Sequence, residues 1–421
     1  MPLNPVPLNP VPLNPVPMQN PVPMQNPVRD YDWGSTTALA ELAGRVPTGG
    51  PEAELWIGAH PSAPSWLVDD DQRLPLDQAI EARPEALLGA DCVQRFGARL
   101  PFLTKLLAIQ RALSVQVHPT AQQALAGFAA ERAGPRPPGG YRFTDPGAKP
   151  ELVYALRPMQ VLAGCRTSAA SAQLLDQLID QLPGGSTSLL ARVRGSVDAG
   201  VTGVLGMLAR WTPEQRAGLA AEAVAACAVA PAEPDGELDW IRRLAEQHPG
   251  DPLVIAPLLL RLVRLPVGGT MFLPAGVPHA YLSGLGLEVM AASDNVVRAG
   301  LTSKRVDADA LVALLDPAAE PVLDLPVERY GPGEHGWRPP TPYFRLSRIT
   351  PVAGQDVVLA AATGPQVLVC TRGSAVVRVD RELAVPAGGS VFIAAGAGQV
   401  VVGGDVEVFR TTLGDPVTSG P

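Results

Sequence analysis

The chain has 421 residues, more than one hydrophobic core usually organises, so two or three domains are expected. Apolar residues make up 46% of it and the formal net charge is −8, which argues against a nucleic-acid partner or an anionic membrane surface. The four cysteines, Cys92, Cys165, Cys227 and Cys370, lie far apart without a CxxC pair, which excludes a disulfide framework or zinc knuckle and points to a reducing compartment.

Pro-Leu-Asn-Pro-Val occurs three times from Pro2 to Val16, and Pro-Met-Gln-Asn-Pro-Val twice from Pro17 to Val28. Proline this dense opposes helix and sheet alike, so residues 1–28 are expected to be an extended, disordered and dispensable leader. The segment lacks the composition of a signal peptide, which fits a soluble cytoplasmic protein. From Arg29 the composition turns globular. Asp30 to Ser35 is an aromatic, turn-rich entry, followed by helical spacing around Thr37–Ala43. Glu52 to Pro61 alternates apolar and polar residues and reads as a strand, and Leu76–Leu88 has helical spacing. Pro101–Leu107 reads as a strand that turns at Gln110–Ala112 into Ser114–Pro119, as a hairpin would.

Ser114-Val115-Gln116-Val117-His118-Pro119 carries the first chemistry. Val115 and Val117 suit a packed face, while Ser114, Gln116 and His118 look the other way. Gln116 and His118 thus leave one face roughly 7 Å apart, as two ligands of one ion must. Pro119 has no N–H to donate and ends the ladder. Taken alone, such a histidine is more often a hydrogen-bonded core residue than a ligand. Ala121–Ala133 is helical and Gly134–Gly140 is a loop. Asp145 to Leu156 then sets Lys149 and Glu151 at the mouth of a strand, where the plain reading is a surface ion pair.

From Thr167 to Arg264 the spacing is helical: Ser171–Gln181, Ser188–Asp198, Gly200–Ala209, Pro213–Ala226 and Leu238–His248. Thr212 before Pro213 is a helix-start signal. This block is expected to be an α-helical insertion in a β protein. Its apolar run Leu253–Val263, the longest in the chain, contains Pro257 and Arg261 and is too short to span a bilayer. Beyond it, Gly268 to Leu282 reads as a strand, a Pro-Ala-Gly turn and His279. Glu288, Asp294, Asn295 and Arg298 then fall within eleven residues among small and apolar neighbours. Buried charge at that density is costly unless paired or used. Short Val-rich strands follow from about Pro342: Gln366–Cys370, Ser374–Val379, Gly389–Ile393 and Val406–Thr411. They suggest a second small β-barrel without metal. His60, His248 and His335, beside Pro or Gly, are expected in surface or capping roles.

Gln116-Val-His118-Pro119, Lys149-Pro-Glu151, Pro274-Ala-Gly-Val-Pro-His279-Ala-Tyr281-Leu282 and Glu288-Val-Met-Ala-Ala-Ser293-Asp294-Asn295-Val-Val-Arg298-Ala-Gly300-Leu-Thr302 together resemble type I mannose-6-phosphate isomerases of the cupin superfamily. Tyr31-Asp-Trp33-Gly34 and Glu54-Leu-Trp56-Ile-Gly58-Ala-His60 belong to the same pattern, which covers Arg29 to Asp307. The resemblance implies a mainly β, double jelly-roll (cupin) architecture with an inserted α-helical subdomain. Its parts would be a leader at 1–28, a catalytic metal-binding cupin domain at 29–166 plus 265–330, the insertion at 167–264, and a metal-free C-terminal barrel at 331–421. It further implies that Gln116, His118, Glu151 and His279 bind one zinc ion per chain. Two imidazoles, a carboxylate and an amide oxygen suit that ion.

The implied reaction is aldose–ketose exchange between mannose 6-phosphate and fructose 6-phosphate by a monomer, a step of carbohydrate metabolism toward GDP-mannose. Arg298 is the implied catalytic cation. Glu288, Asp294 and Lys149 are the proton-transfer candidates, undecided among themselves. Lys105 and Lys149 are candidates for holding phosphate, and Ser114 lines the same face. A cupin-type metal oxygenase and a non-catalytic sugar-binding bicupin are the alternatives. The Asp294–Arg298 cluster, redundant for O₂ chemistry, speaks against the first, and the intact ligand quartet against the second.

Overall fold

The computed structural model describes residues 20–69, 72–136, 140–304, 306–352 and 354–416. It is rich in antiparallel sheet, and no helix among the described residues is long and apolar enough to cross a membrane. Residues 1–19 of the repeat-rich start lie outside the described residues.

The strand His279–Ala291 organises the sheet that carries the candidate site, because it changes partners along its length. Its first residues pair with Met159–Cys165 and, at His279, with Gln116. Its second half pairs with Phe102–Ile109 on one edge and Glu151–Ala155 on the other. The register shifts between Tyr281 and Ser283. Gly284 follows at φ +120°, where an added Cβ would meet the Pro158 carbonyl oxygen at 2.5 Å. Only glycine meets both the dihedral and the close approach, and the strand bends there.

Two outer strands complete the frame: Val297–Gly300 beside Val115–Val117, and Glu54–Ile57 beside Phe102–Ile109. The hairpin expected between Pro101–Leu107 and Ser114–Pro119 is therefore absent. Its two arms flank different halves of the bent strand: Phe102–Ile109 pairs along the whole second half, whereas Val115–Val117 meets it at Gln116 alone and takes Val297–Gly300 as its main partner. Every residue of Phe102–Ile109 is buried. Phe102, Leu106 and Ala108 join one core and Leu107 and Ile109 another, so the strand is packed on both faces, with Thr104 and Lys105 its buried polar residues.

Helices Ser168–Ile179, Leu189–Arg194, Gly200–Arg210, Pro213–Val229 and Glu237–Gln247 follow the expected spacing within a few residues. Thr212 caps the fourth, its hydroxyl accepting from the Gln215 N–H while the Gln215 side chain accepts from the Thr212 N–H. Leu175, Leu190, Val204, Leu219 and Ile241 from these helices share a core with Val115, Val117, Ala280 and Leu282. The helical layer thus covers the back of the sheet and turns its polar alternates inward.

The C-terminal strands form a sheet that runs from Val327–Gly331 through Glu334–Trp337, Arg345–Ile349, Glu407–Thr412, Gln366–Arg372 and Ser390–Ile393. It continues into Val22–Gln25, Trp66–Asp69 and Gln72–Pro75. Two expectations fail here. Residues 22–25 are not part of an unpaired leader, and the sheet is not built from 331–421 alone. Val22 and Met24 alternate inward, 0% and 8% exposed, and Val22, Pro23 and Met24 stand opposite Phe392, Val391 and Ser390. Pro23 withholds one N–H, but the strand needs few ladder bonds because apolar packing holds it. Phe344, Val367, Phe392 and Phe409 of this sheet pack against Leu106, Leu152, Leu287 and Val289 of the other.

Val22→Asp would bury an unpaired carboxylate between two strands and is expected to lower stability by about 2–4 kcal/mol, read as a reduced urea midpoint. An unchanged midpoint would show that residues 22–25 contribute nothing to the fold, as a dispensable leader requires.

Candidate metal centre and pocket

Pairing register fixes the layout before any side chain is considered. Gln116 stands between His279 on one neighbour and Arg298 on the other, so these three form a row across three strands. At about 4.8 Å per strand, the Arg298 backbone lies roughly 10 Å from that of His279. In a second row Trp56 faces Lys105 and Lys105 faces Glu288. Glu151 is opposite Met290, two residues beyond Glu288.

His118, Glu151 and His279 are no more than 2% exposed, and one ligand atom from each lies within 4.8 Å of the others. His118 Nε2 is 3.2 Å from Glu151 Oε1, and His279 Nε2 is 3.5 Å from Oε2. The Gln116 amide nitrogen is 3.2 Å from His279 Nε2, and a half-turn of that amide presents its oxygen instead. His118 Nδ1 is 2.8 Å from the Asn295 carbonyl oxygen and His279 Nδ1 is 3.0 Å from that of Val277. A carbonyl only accepts, so each neutral ring carries its proton on Nδ1 and turns an Nε2 lone pair inward.

That lone pair on His118 faces a carboxylate, acceptor against acceptor. For all its closeness to Oε1, His118 Nε2 has no hydrogen-bond partner among the described residues, and neither does the buried Glu151 Oε2. Converging acceptors without a donor are costly in a dry interior, and a cation among them removes the cost. Burial presses His118 down to about 4, helped by the Lys149 charge, so the ring stays neutral near pH 7. Burial opposes charge on Glu151, but the Lys149 ammonium, 2.9 Å away, holds its carboxyl well below the ordinary range. The Lys149–Glu151 pair is thus buried in the site, where the plain reading had placed it on the surface.

Gln116, Lys149 and Glu151 line a cavity of about 430 Å³, with His118 and His279 buried beside them. Lys105 Nζ lies 3.5 Å from Glu54 Oε2, 3.6 Å from Glu288 Oε2 and 5.0 Å from the Trp56 ring centre. Burial works against its charge, yet the two carboxylates hold Lys105 above its usual range. Burial, with the Glu151 charge adding, raises Glu288 to about 7. The Tyr281 hydroxyl is buried next to Glu288, and burial followed by the Glu288 charge raises it well above the ordinary phenol range. Ser114, Arg298, Lys304 and Arg29 also line the cavity. Arg29 and Lys304 both lie over the Tyr31 ring.

Gln116, His118, Glu151 and His279 therefore meet, and Ser114, Lys105, Lys149, Glu288 and Arg298 share their cavity. Asp294 lines it too, but its carboxylate is 54% exposed and 3.1 Å from His60 Nε2, a hydrogen bond that holds its pKa down. His60 departs from its expected surface role. It is 8% exposed, stands edge-on to Trp56 and meets Ser62 at Nδ1, because the turn at Pro61 folds inward onto Asp294. Glu54, Trp56, Tyr281, Arg29 and Lys304 carried no assigned role from sequence. Alternation could have found three of them, since Glu54 and Trp56 share a face and Tyr281 shares that of His279. Nothing local marks the two cations.

Residues 22–168 match the family described as phosphomannose isomerase type I, catalytic domain. A mannose-6-phosphate isomerase of Salmonella typhimurium is 37% identical over 395 residues, covering 91% of this chain and 97% of the relative. One from Ogataea parapolymorpha is 31% identical, covering 91% and 95%. A crystal structure of mannose 6-phosphate isomerase bound with zinc and yttrium superposes with a TM-score of 0.83 at 34% identity, covering 94% of this chain and 99% of the other.

Glu151→Gln keeps the volume but leaves no anion among the converging acceptors. Metal retained after dialysis, measured by plasma mass spectrometry, is expected to fall about tenfold or more. Retention equal to the parent would place the ion elsewhere.

Proposed function

The chain belongs to the type I phosphomannose isomerase family and interconverts mannose 6-phosphate and fructose 6-phosphate with a metal cofactor; we propose that Gln116, His118, Glu151 and His279 hold one zinc ion per chain and that the groups around them move the proton. The observation that carries the metal assignment is the buried, donor-free convergence of His118 Nε2 and Glu151 Oε2. When bound there, the ion supplies a positive charge that lowers the cost of negative charge developing on the sugar oxygens.

Isomerisation breaks the C–H bond at carbon 2 of the open-chain aldose. Its electron pair becomes the carbon 1–carbon 2 double bond of an enediol(ate) as the carbonyl pair moves onto oxygen 1, which takes up a proton; oxygen 2 then gives up its proton to become the ketone carbonyl while a proton returns at carbon 1. Glu288 is the base for this step. It sits in the pocket with its pKa raised to about 7, near the operating pH, where a general base is most effective. Asp294 is poorly suited, since His60 holds it ionised and weakly basic, and Lys149 is bound to Glu151. Arg298, in line with Gln116 and His279, stabilises the oxyanion. Lys105 is already held between Glu54 and Glu288, so its part is to balance the base's charge. The phosphate falls to cavity-lining cations that make no ion pair among the described residues, Lys304 and Arg29 with Arg111 beside them, together with Arg298. Ser114 offers a hydroxyl to the sugar.

The finer architecture belongs to the same proposal: a double cupin with a helical insertion at 167–264, in a monomeric cytoplasmic enzyme. The shared core of helices and site sheet supports the insertion's role as a backing layer.

Turnover of mannose 6-phosphate in a coupled assay is expected to vanish on chelation and return with Zn²⁺; turnover that survives full metal removal would overturn the reading. The base must be ionised, so kcat/KM should fall as pH drops through about 7 or somewhat below, the bound ion pulling the midpoint down. Glu288→Gln is expected to remove that limb along with most of the rate. A limb that persists unchanged in the variant would assign the base to another group.

A further inference from the structure

We propose that Asp145 and Asn295 form a clamp that positions the imidazole of His118, an inference that rests on the reading of His118 as a metal ligand. The two histidines of the cluster are oriented differently. His279 Nδ1 leans on Val277, two residues away in its own turn, so its ring is fixed locally. His118 Nδ1 leans on the carbonyl of Asn295, 177 residues away in sequence. The direction of the His118 lone pair is therefore set by whatever holds residues 293–295.

Those residues belong to no helix or strand. A second loop holds them. The Asp145 carboxylate accepts from the Asp294 N–H at 2.9 Å and from the Gly147 N–H at 2.8 Å, and Ser293 Oγ lies 2.9 and 3.1 Å from its two oxygens. Asn295 is 1% exposed, and its side chain closes the clamp from the other side. Its Nδ2 donates to the carbonyls of Asp145 and Gly147 at 2.7 and 2.8 Å, and its Oδ1 accepts from the Thr144 N–H at 2.9 Å. Bonds to an ionised acceptor are roughly twice as strong as neutral ones, so the carboxylate is what fixes the loop pair. Gly147 precedes Lys149 by two residues and Glu151 by four, so the clamp also sets where the strand bearing that ligand begins.

A merely structural loop anchor and a positioning clamp predict different measurements. In the second case, freeing the Asn295 carbonyl lets the His118 ring swing, and ion affinity falls by about 10- to 100-fold, the range seen when an outer partner of a ligand is lost. Full-length Asp145→Ala, Asp145→Asn and Asn295→Ala proteins would be stripped of metal and titrated with Zn²⁺ and Co²⁺. We expect weaker Zn²⁺ binding in both alanine variants, altered visible absorption bands of bound Co²⁺, and partial recovery in Asp145→Asn, which keeps one acceptor oxygen. Zn²⁺ affinity and Co²⁺ bands equal to the parent's, even with a lowered melting temperature, would overturn the clamp and leave the ligand assignment standing. A parent protein that binds neither ion would overturn both. Should Asn295→Ala fail to fold, the partly exposed Asp145 carries the test.

Discussion

His118 Nε2, His279 Nε2 and the Glu151 carboxylate converge as buried hydrogen-bond acceptors, a crowding that the Lys149 ammonium offsets in part and a bound cation would remove. His118 and His279 each give their one proton to a backbone carbonyl, and Glu151 has none to give. Nearby, Lys105 and Lys149 stand among the carboxylates of Glu54, Glu151 and Glu288, which leaves one negative charge in excess when all are ionised. A divalent ion turns that excess positive, which suits a floor that must face an anionic sugar. Such an arrangement is unfavourable on its own account. The rest of the fold exists to hold it in place.

Holding it requires strands from distant parts of the chain to arrive in one register. The bend at Gly284 lets a single strand contribute His279 to one ladder and Glu288 to another, so the two side chains stand at different heights of the same region. The helices behind Val115 and Val117 make this rigid by removing the apolar side of the sheet from water. Facing it, the C-terminal sheet covers the other side of Phe102–Ile109, and the hydroxyls of Thr104 and Thr411 meet across the join at 2.9 Å.

Much of this was legible in the sequence. Alternation in Ser114–Pro119 gave the facing of Gln116 and His118, and the Thr-Pro pair gave the start of the helix at Pro213. The motif Glu288 to Arg298, polar residues set among small and apolar neighbours, announced buried charge, which holds for Glu288 but not for the exposed Asp294. What escaped was long-range pairing. No local pattern says that Phe102–Ile109 prefers the second half of His279–Ala291 to its own sequence neighbour, since a backbone ladder accepts any extended partner. His60 was misplaced for a related reason, as a proline turn has the same composition whether it folds outward or inward. Residues 22–25 were missed because proline content outweighed the alternation of Val22 and Met24.

That early strand has a consequence for how the protein is made. Asn20 reaches Ala394 across 374 residues of sequence, and Val22–Gln25 fills a slot between Ser390–Ile393 and Trp66–Asp69. During synthesis the segment waits for Ser390–Ile393, far downstream, before its seat exists, so the sheet edge of Trp66–Asp69 stays open until then. Closing so distant a contact comes late and favours slow assembly over fast.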